Sequence, residues 1–258
     1  MIEIHSLTFG YPGHTLLFEG FTWQVSAGET WSIIGPSGSG KSTLLYLIAG
    51  LQWPRAGTVT VAGEAVPRKK QRGKTGLVLQ EYGLLPWATI QENALLGLRI
   101  RHFYGQDAGA AIDADHAAFW LERVGLAEHR DKYPNQVSGG QRQWAALART
   151  LTLDPDVLLL DEPFSALDAL TREDMQRLMR ELHAETGVTT VLVTHNIEEA
   201  VYLGRHILVL GAAPNRAAHV IDNPGMGQTG FRNSAAFHAK TVELRGVLTD
   251  SEVSRAHA

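Results

Sequence analysis

Residues 1–34 carry short apolar runs, Ile2–Ile4, Phe21–Val25 and Thr30–Ile34, separated by the turn pairs Pro12-Gly13 and Ala27-Gly28. Runs of this length between turn residues predict strands. Thr58–Val61 and Leu77–Leu79 continue the pattern on either side of the basic loop Arg68-Lys69-Lys70-Gln71-Arg72-Gly73-Lys74. From about Ile90 to Ala148 the texture changes to alanine- and leucine-rich helix, broken at Gly105, Gly125 and Pro134. Strand and helix then alternate. Val157–Leu160 predicts a fully apolar strand, and Met175, Leu178, Met179 and Leu182 repeat at helical spacing until Gly187. Val188–Thr194 is a second buried strand, Ile197–Leu203 a helix and Ile207–Leu210 a third strand, with a further helix at about Ser234–Leu248. Such alternation implies parallel strands joined by crossover helices. The expectation is a single α/β domain over residues 1–258. It carries a β-rich edge, a helical subdomain inserted at about 88–150 and a short tail at about 224–258.

Composition narrows what such a chain can do. With 44% hydrophobic and 19% charged residues it can bury a full core, which opposes general disorder. The absence of cysteine excludes disulfides, zinc–thiolate sites and a cysteine nucleophile. The longest apolar stretch, Leu44–Leu51 counting Gly50, is shorter than the ~20 residues a spanning helix needs. Met1-Ile2-Glu3-Ile4-His5 lacks the basic start and apolar core of a signal peptide. A soluble, intracellular chain is expected. A formal charge of −4 argues against a dedicated nucleic-acid binder, whose affinity rests on neutralising phosphates. The 26 glycines, above the usual share, point to glycine-rich loops.

One such loop carries chemistry. Gly35-Pro36-Ser37-Gly38-Ser39-Gly40-Lys41-Ser42-Thr43 follows a predicted strand and precedes a predicted helix, which satisfies the G-x4-G-K-[ST] phosphate-loop pattern in its required context. The glycines let backbone N–H groups converge on phosphate oxygens, and the helix N-terminus adds its partial positive charge. Lys41 can reach the β- and γ-phosphates, and the Ser42 hydroxyl can ligate Mg²⁺. Val157–Leu160 ends in Asp161 and Glu162. In a parallel sheet that strand end faces the crevice where phosphates lie. Asp161 therefore suits an Mg²⁺ contact, and Glu162 can orient or deprotonate an attacking water.

Val137-Ser138-Gly139-Gly140-Gln141-Arg142-Gln143 narrows the superfamily. It closely resembles the LSGGQ signature of ATP-binding-cassette ATPases, with Val137 where Leu is usual. Ser138 can cap the following helix, while Gly139 and Gly140 expose N–H groups to a γ-phosphate. The resemblance extends to about residue 210. Tyr11 matches the aromatic that stacks on adenine, and Gln80 the lid glutamine that reaches metal and water. Pro163 and Ser165-Ala166-Leu167-Asp168 match the segment that crosses the dimer seam, and His195 the switch histidine near the γ-phosphate. The resemblance implies a P-loop NTPase core that binds ATP and Mg²⁺, with Lys41, Gln80, Glu162 and His195 as catalytic groups. Ser42, Gln80 and Asp161 would be the metal ligands. Two copies would face head to tail, each ATP lying between the phosphate loop of one and Ser138, Gly139, Gly140 and Gln141 of the other, with Asp168 beside the seam. Hydrolysis would then remove contacts across the seam and drive a conformational cycle.

Tyr82-Gly83-Leu84-Leu85-Pro86-Trp87-Ala88-Thr89-Ile90 occupies the position where such cassettes form a groove for a helix of the membrane subunit. Leu84, Leu85 and Trp87 either anchor that partner or pack within the helical subdomain. Gln80…Leu84-Leu85-Pro86-Trp87 and His195…Glu198-Glu199-Ala200-Val201-Tyr202-Leu203 are most similar to the nitrate, sulfonate and taurine importer group. That resemblance implies transmembrane permease subunits as partners, an extracytoplasmic solute-binding protein indirectly, and a peripheral location on the cytoplasmic face of the inner membrane. No nucleic acid is expected. The competing class is a soluble cassette ATPase acting on DNA or ribosomes, whose relatives carry coiled-coil, zinc or second-cassette modules. A small-molecule kinase is opposed by the signature and His195. Trp144, Asn196 and Arg205 depart from the usual pattern, where a basic residue, an acid and an Asp are common. The Arg68–Lys74 loop is expected to be a solvated hairpin. No room is expected for the large regulatory domain that some sugar importers append.

Overall fold

The break in the alternation after Ile4 has a structural cause. The computed structural model of the chain describes residues 1–67, 75–104 and 112–256, so the Arg68–Lys74 loop and the break at Gly105 lie outside the described residues. In β1 (Ile2–Phe9), Ile2 and Ile4 are buried, His5 and Ser6 are both exposed, and Leu7 and Phe9 are buried again. Register shifts against both neighbouring strands mark a bulge there, and Ser6 sits at φ 49°. The extra residue restores Leu7 and Phe9 to the buried face. Opposite, Gly57 at φ 83° lies so close that an added Cβ would stand 2.3 Å from the Ser6 carbonyl oxygen. Only glycine fits.

Met1–Arg68 and Leu178–Ala258 form one compact unit, and Lys69–Arg177 a second. In the first unit β1 pairs antiparallel with β2 (Phe18–Val25) and β4 (Ala56–Val61), and β4 with β5 (Glu64–Val66). A second group of strands runs in the order β10-β9-β3-β8, from β3 (Thr30–Ile34), β8 (Thr189–Val193), β9 (His206–Val209) and β10 (His219–Asp222). β3 is parallel to both β8 and β9, and all five of its residues are buried. Burial on both faces explains why it has a continuous apolar run instead of an alternation. α1 (Lys41–Ile48) packs against β8 and β4, α6 (Ile197–Leu203) against β3, and α7 (Ala235–Ala256) against α6. Ile34, Ala200, Val201, Ile207, Val209, Ile221, Phe231, Phe237 and Leu244 form one apolar cluster among these elements. The tail therefore contributes to the core. β10, which the sequence pattern did not predict, pairs antiparallel with β9 from His219↔Val209 to Asp222↔His206.

The second unit holds a parallel pair, β6 (Thr75–Val78) and β7 (Val157–Asp161), registered from Thr75↔Val157 to Val78↔Leu160. α2 (Ile90–Tyr104), α3 (Ala114–Arg123) and α4 (Gly139–Leu151) pack on one another, and α4 also packs on β6. Each begins at a side-chain cap. Thr89 and Glu92 bond reciprocally ahead of α2, and Asp113 accepts the His116 N–H at 2.9 Å ahead of α3. Ala117, Trp120 and Leu121 then face inward at helical spacing. α5 (Ala169–Thr186) begins in this unit. The α/β class, the strand-rich part and the helical part are all found.

Candidate functional site

The phosphate loop leaves the end of β3 and enters α1. At Gly35 an added Cβ would come within 2.4 Å of the Leu210 carbonyl oxygen, so the chain can pass that point only as glycine. Lys41 folds back over the loop, its Nζ donating to the carbonyls of Gly35 at 2.8 Å and Pro36 at 3.0 Å. Gly40 opens α1 with no side-chain cap, and no acidic residue stands in the first turn. The positive end of the helix therefore faces the loop with no carboxylate of its own to neutralise it, the arrangement that suits an anion. Buried Asn215 holds the loop from the far end of the chain. Its Nδ2 donates to Ser39 O at 2.8 Å and its Oδ1 accepts the Gly211 N–H at 2.9 Å. The sequence shows this residue only as a polar position after Pro214.

The first unit brings two further predicted residues to this edge. Tyr11 OH lies 3.3 Å from Thr43 Oγ1, its ring meets Phe9 edge-on at 5.2 Å, and Arg55 Nη2 donates to its carbonyl at 3.0 Å. The ring is thus held beside the first turn of α1. Ile33 pairs with Val193, so the residues after β3 and after β8 emerge at the same end of the parallel strands. Exposed His195 follows β8 there. Asn196 caps α6 by accepting the N–H groups of Glu198 and Glu199 at 2.9 and 3.2 Å. An acid in its place would cap equally well, so this departure leaves the local fold unchanged. Arg205 is held through its backbone, its N–H reaching Thr30 O at 2.9 Å and its carbonyl accepting from Asn223.

In the second unit the parallel register brings Gln80, Asp161 and Glu162 to one edge, since Val78 pairs with Leu160. Asp161 is buried and ends β7. Glu162 follows at φ 47°, a left-handed conformation that costs a non-glycine residue of order 1 kcal/mol or more. Its carbonyl accepts from Ser165 Oγ at 3.0 Å. Ser138 opens α4 with a reciprocal pair: its Oγ accepts the Gln141 N–H at 3.1 Å, and its own N–H reaches Gln141 Oε1 at 2.9 Å. Gly139 and Gly140 form the first turn, with no acidic residue there. Asp168 accepts the Thr171 hydroxyl at 2.6 Å and the Thr171 N–H at 3.1 Å, and these bonds hold its carboxyl below the ordinary value.

The segment after Gln80 is tied to α4. Arg149 donates to Gly83 O at 2.6 Å and Tyr82 O at 2.8 Å, and burial pushes its guanidinium below the ordinary value. Arg142 stands 5.6 Å from the Tyr82 ring centre and donates to Val137 O at 3.1 Å. Trp87 is 73% exposed, whereas Leu84 and Leu85 are half-buried. Of the two fates open to these side chains, Trp87 takes the exposed one. Trp144 is half-buried.

A profile of the ABC transporter family matches residues 18–165, from the start of β2 to just beyond Glu162. The chain belongs to the ABC transporter family. It is 48% identical over 187 residues to the sulfate/thiosulfate import ATP-binding protein CysA of Mycobacterium tuberculosis, covering 72% of this chain and 52% of that protein. The chain thus spans about half the length of those relatives. To the aliphatic sulfonates import ATP-binding protein SsuB of Bacillus cereus it is 39% identical over 213 residues, 82% of this chain and 80% of that protein. Among solved structures it resembles the dimeric post-hydrolysis state of the ATP-binding cassette MJ0796 bound to ADP and Pi. The TM-score is 0.77 at 31% identity, covering 88% of this chain and 100% of that one. The ABC fold, a P-loop NTPase core with a strand-rich part and a helical part, accounts for the elements described above.

Proposed function

We propose that this chain is the ATP-hydrolysing subunit of a membrane importer, working as a head-to-tail pair of copies attached to transmembrane permease subunits. The observation that carries the reading is the phosphate loop, a glycine-only turn on an α-helix N-terminus with Lys41 folded over it, in a chain of the ABC transporter family. The relatives with import names favour transport over action on DNA or ribosomes. Among the described residues no helix is long and apolar enough to cross a membrane. A peripheral place on the cytoplasmic face and an indirect link to an extracytoplasmic solute-binding protein follow from this reading.

Within the first unit Lys41 and the loop from Gly35 to Thr43 grip the phosphates, Tyr11 stacks on adenine, and His195 contacts the γ-phosphate. Within the second unit Glu162 orients and deprotonates the attacking water. Ser138, Gly139, Gly140 and Gln141 meet the ATP of the opposite copy, with Asp168 beside that seam. Each group assigned to Mg²⁺ suits it by its own chemistry, the Ser42 hydroxyl in the first unit and the Gln80 amide oxygen and Asp161 carboxylate in the second, because a hard cation takes oxygen ligands. When bound it neutralises charge on the phosphates. A cassette does not touch the solute. The relatives' names share a sulfur oxyanion group, and the sulfonate importers match over more of their length, so an alkanesulfonate is the first solute to test.

The experiment is purification of the tagged chain from solubilised membranes, with ATP turnover measured for wild type and Glu162→Gln. An integral membrane partner, and a variant that binds ATP, stops hydrolysing it and accumulates as an ATP-bound dimer, are expected. A DNA or ribosome partner overturns the transport assignment, and wild-type turnover in Glu162→Gln removes the general base.

A further inference from the structure

The turn that carries His195 is closed on itself by hydrogen bonds. The Thr194 hydroxyl donates to Glu199 Oε2 at 2.5 Å, and its oxygen accepts the Asn196 N–H at 3.0 Å. Asn196 Oδ1 accepts the Glu199 N–H at 3.2 Å, which completes the circuit. Within this circuit each of Thr194, Asn196 and Glu199 gives one bond and takes one. His195 lies between the first two. Thr194 and Glu199 are buried, whereas His195 is exposed. The Thr194 N–H also donates to Ile33 O at 3.2 Å, so the circuit hangs from the end of β3, just before the phosphate loop.

A carboxylate buried in the first turn of a helix, as Glu199 is in α6, is costly unless its bonds compensate. Valine would match the shape of Thr194, which is buried just after β8, so the hydroxyl and not the volume of this side chain makes the two bonds. The short O–H···O distance lies in the range of charge-assisted bonds, the strong class. Breaking it frees the Thr194 oxygen from its donor role and slackens the peptide groups on both sides of His195.

We propose that Glu199 is a positioning residue for His195. It holds Thr194, and through Thr194 and Asn196 it fixes the backbone from which the imidazole stands beside the phosphate loop. This rests on the reading of His195 as the γ-phosphate contact. Asn196 fits the same account, because its amide oxygen caps α6 while its N–H feeds Thr194.

The test uses the full chain with Mg·ATP, measuring kcat, KM, affinity for a non-hydrolysable ATP analogue, and thermal melting. Glu199→Gln keeps an oxygen that can accept the Thr194 hydroxyl but removes the charge that strengthens the bond, and should lower kcat about threefold to tenfold, while analogue affinity changes less than about twofold. Thr194→Val should do the same, and Thr194→Ser, which keeps the hydroxyl, should restore turnover. A purely structural role would instead lower melting temperature and affinity together. If Glu199→Gln fails to fold, the Thr194 pair decides the matter. Wild-type kcat in Glu199→Gln, or a serine variant as slow as the valine one, overturns the proposal. His195→Ala with normal turnover removes the reading of His195 and the proposal with it. An inactive His195→Ala beside a fully active Glu199→Gln removes the proposal alone.

Discussion

Asn93, fully buried in the first turn of α2, holds the exposed Trp87 segment in place. Its Oδ1 accepts the Leu85 N–H at 2.7 Å, and its Nδ2 donates to the carbonyls of Leu85 at 3.1 Å, Ala88 at 3.0 Å and Thr89 at 2.9 Å. Two amide hydrogens serve three carbonyls, so one bond is shared, and about three net bonds remain to be lost in Asn93→Ala. At about 1 kcal/mol each, and with the bond to Ala88 buried beyond easy rehydration, the expected loss is about 3–5 kcal/mol. Leu85 and Thr89 are half-buried and can recruit water, which sets the lower bound. Urea unfolding monitored by circular dichroism measures this, provided the slope m is unchanged. Hydrogen exchange should quicken from Leu84 to Thr89 and stay slow in β3. Asn93→Asp should be worse than alanine, since it sets an acceptor against three carbonyls. A loss below about 1 kcal/mol in Asn93→Ala, or an aspartate variant as stable as wild type, refutes the account of this network.

Ser138→Ala should cost about 1 kcal/mol in urea unfolding by removing the α4 cap, and Ser138→Asp should recover most of it; equal stability of all three would refute the cap. Thr171→Val should raise the Asp168 titration toward the ordinary carboxylate range, followed by NMR. Because the folded value is depressed, the stabilisation from this group is present above the ordinary range. It is lost as pH falls through the folded value. Identical acid unfolding of the two proteins would refute that link.

Much of this was legible in the residues. Thr30–Ile34 and Ile197–Leu203 match their elements residue for residue, because a strand buried on both faces and a helix behind an Asn cap carry strong local signals. β10 did not, since four residues ending in Asp222 resemble loop until β9 pairs with them. The second half of β1 was hidden by the bulge at Ser6. The phosphate loop and the Ser138 turn were visible as spacing patterns. Asn93, Arg149 and Asn215 were not, because each acts on backbone groups brought near by folding. In the sequence they are ordinary polar positions on helices and loops.

The two arginine contacts of α4 give that helix a mechanical meaning. Its 13 residues make a rod about 20 Å long, with the Ser138 turn at its head and Arg149 near its tail, gripping the chain after Gln80. Arg142 lies against Tyr82 two turns nearer the head. The Trp87 segment and the Ser138 turn are therefore fittings on one lever. A shift of the Tyr82–Gly83 chain should be felt at the head of α4 as displacement of one stiff body, an expectation that hydrogen exchange at Ser138 in a Trp87→Ala variant would check.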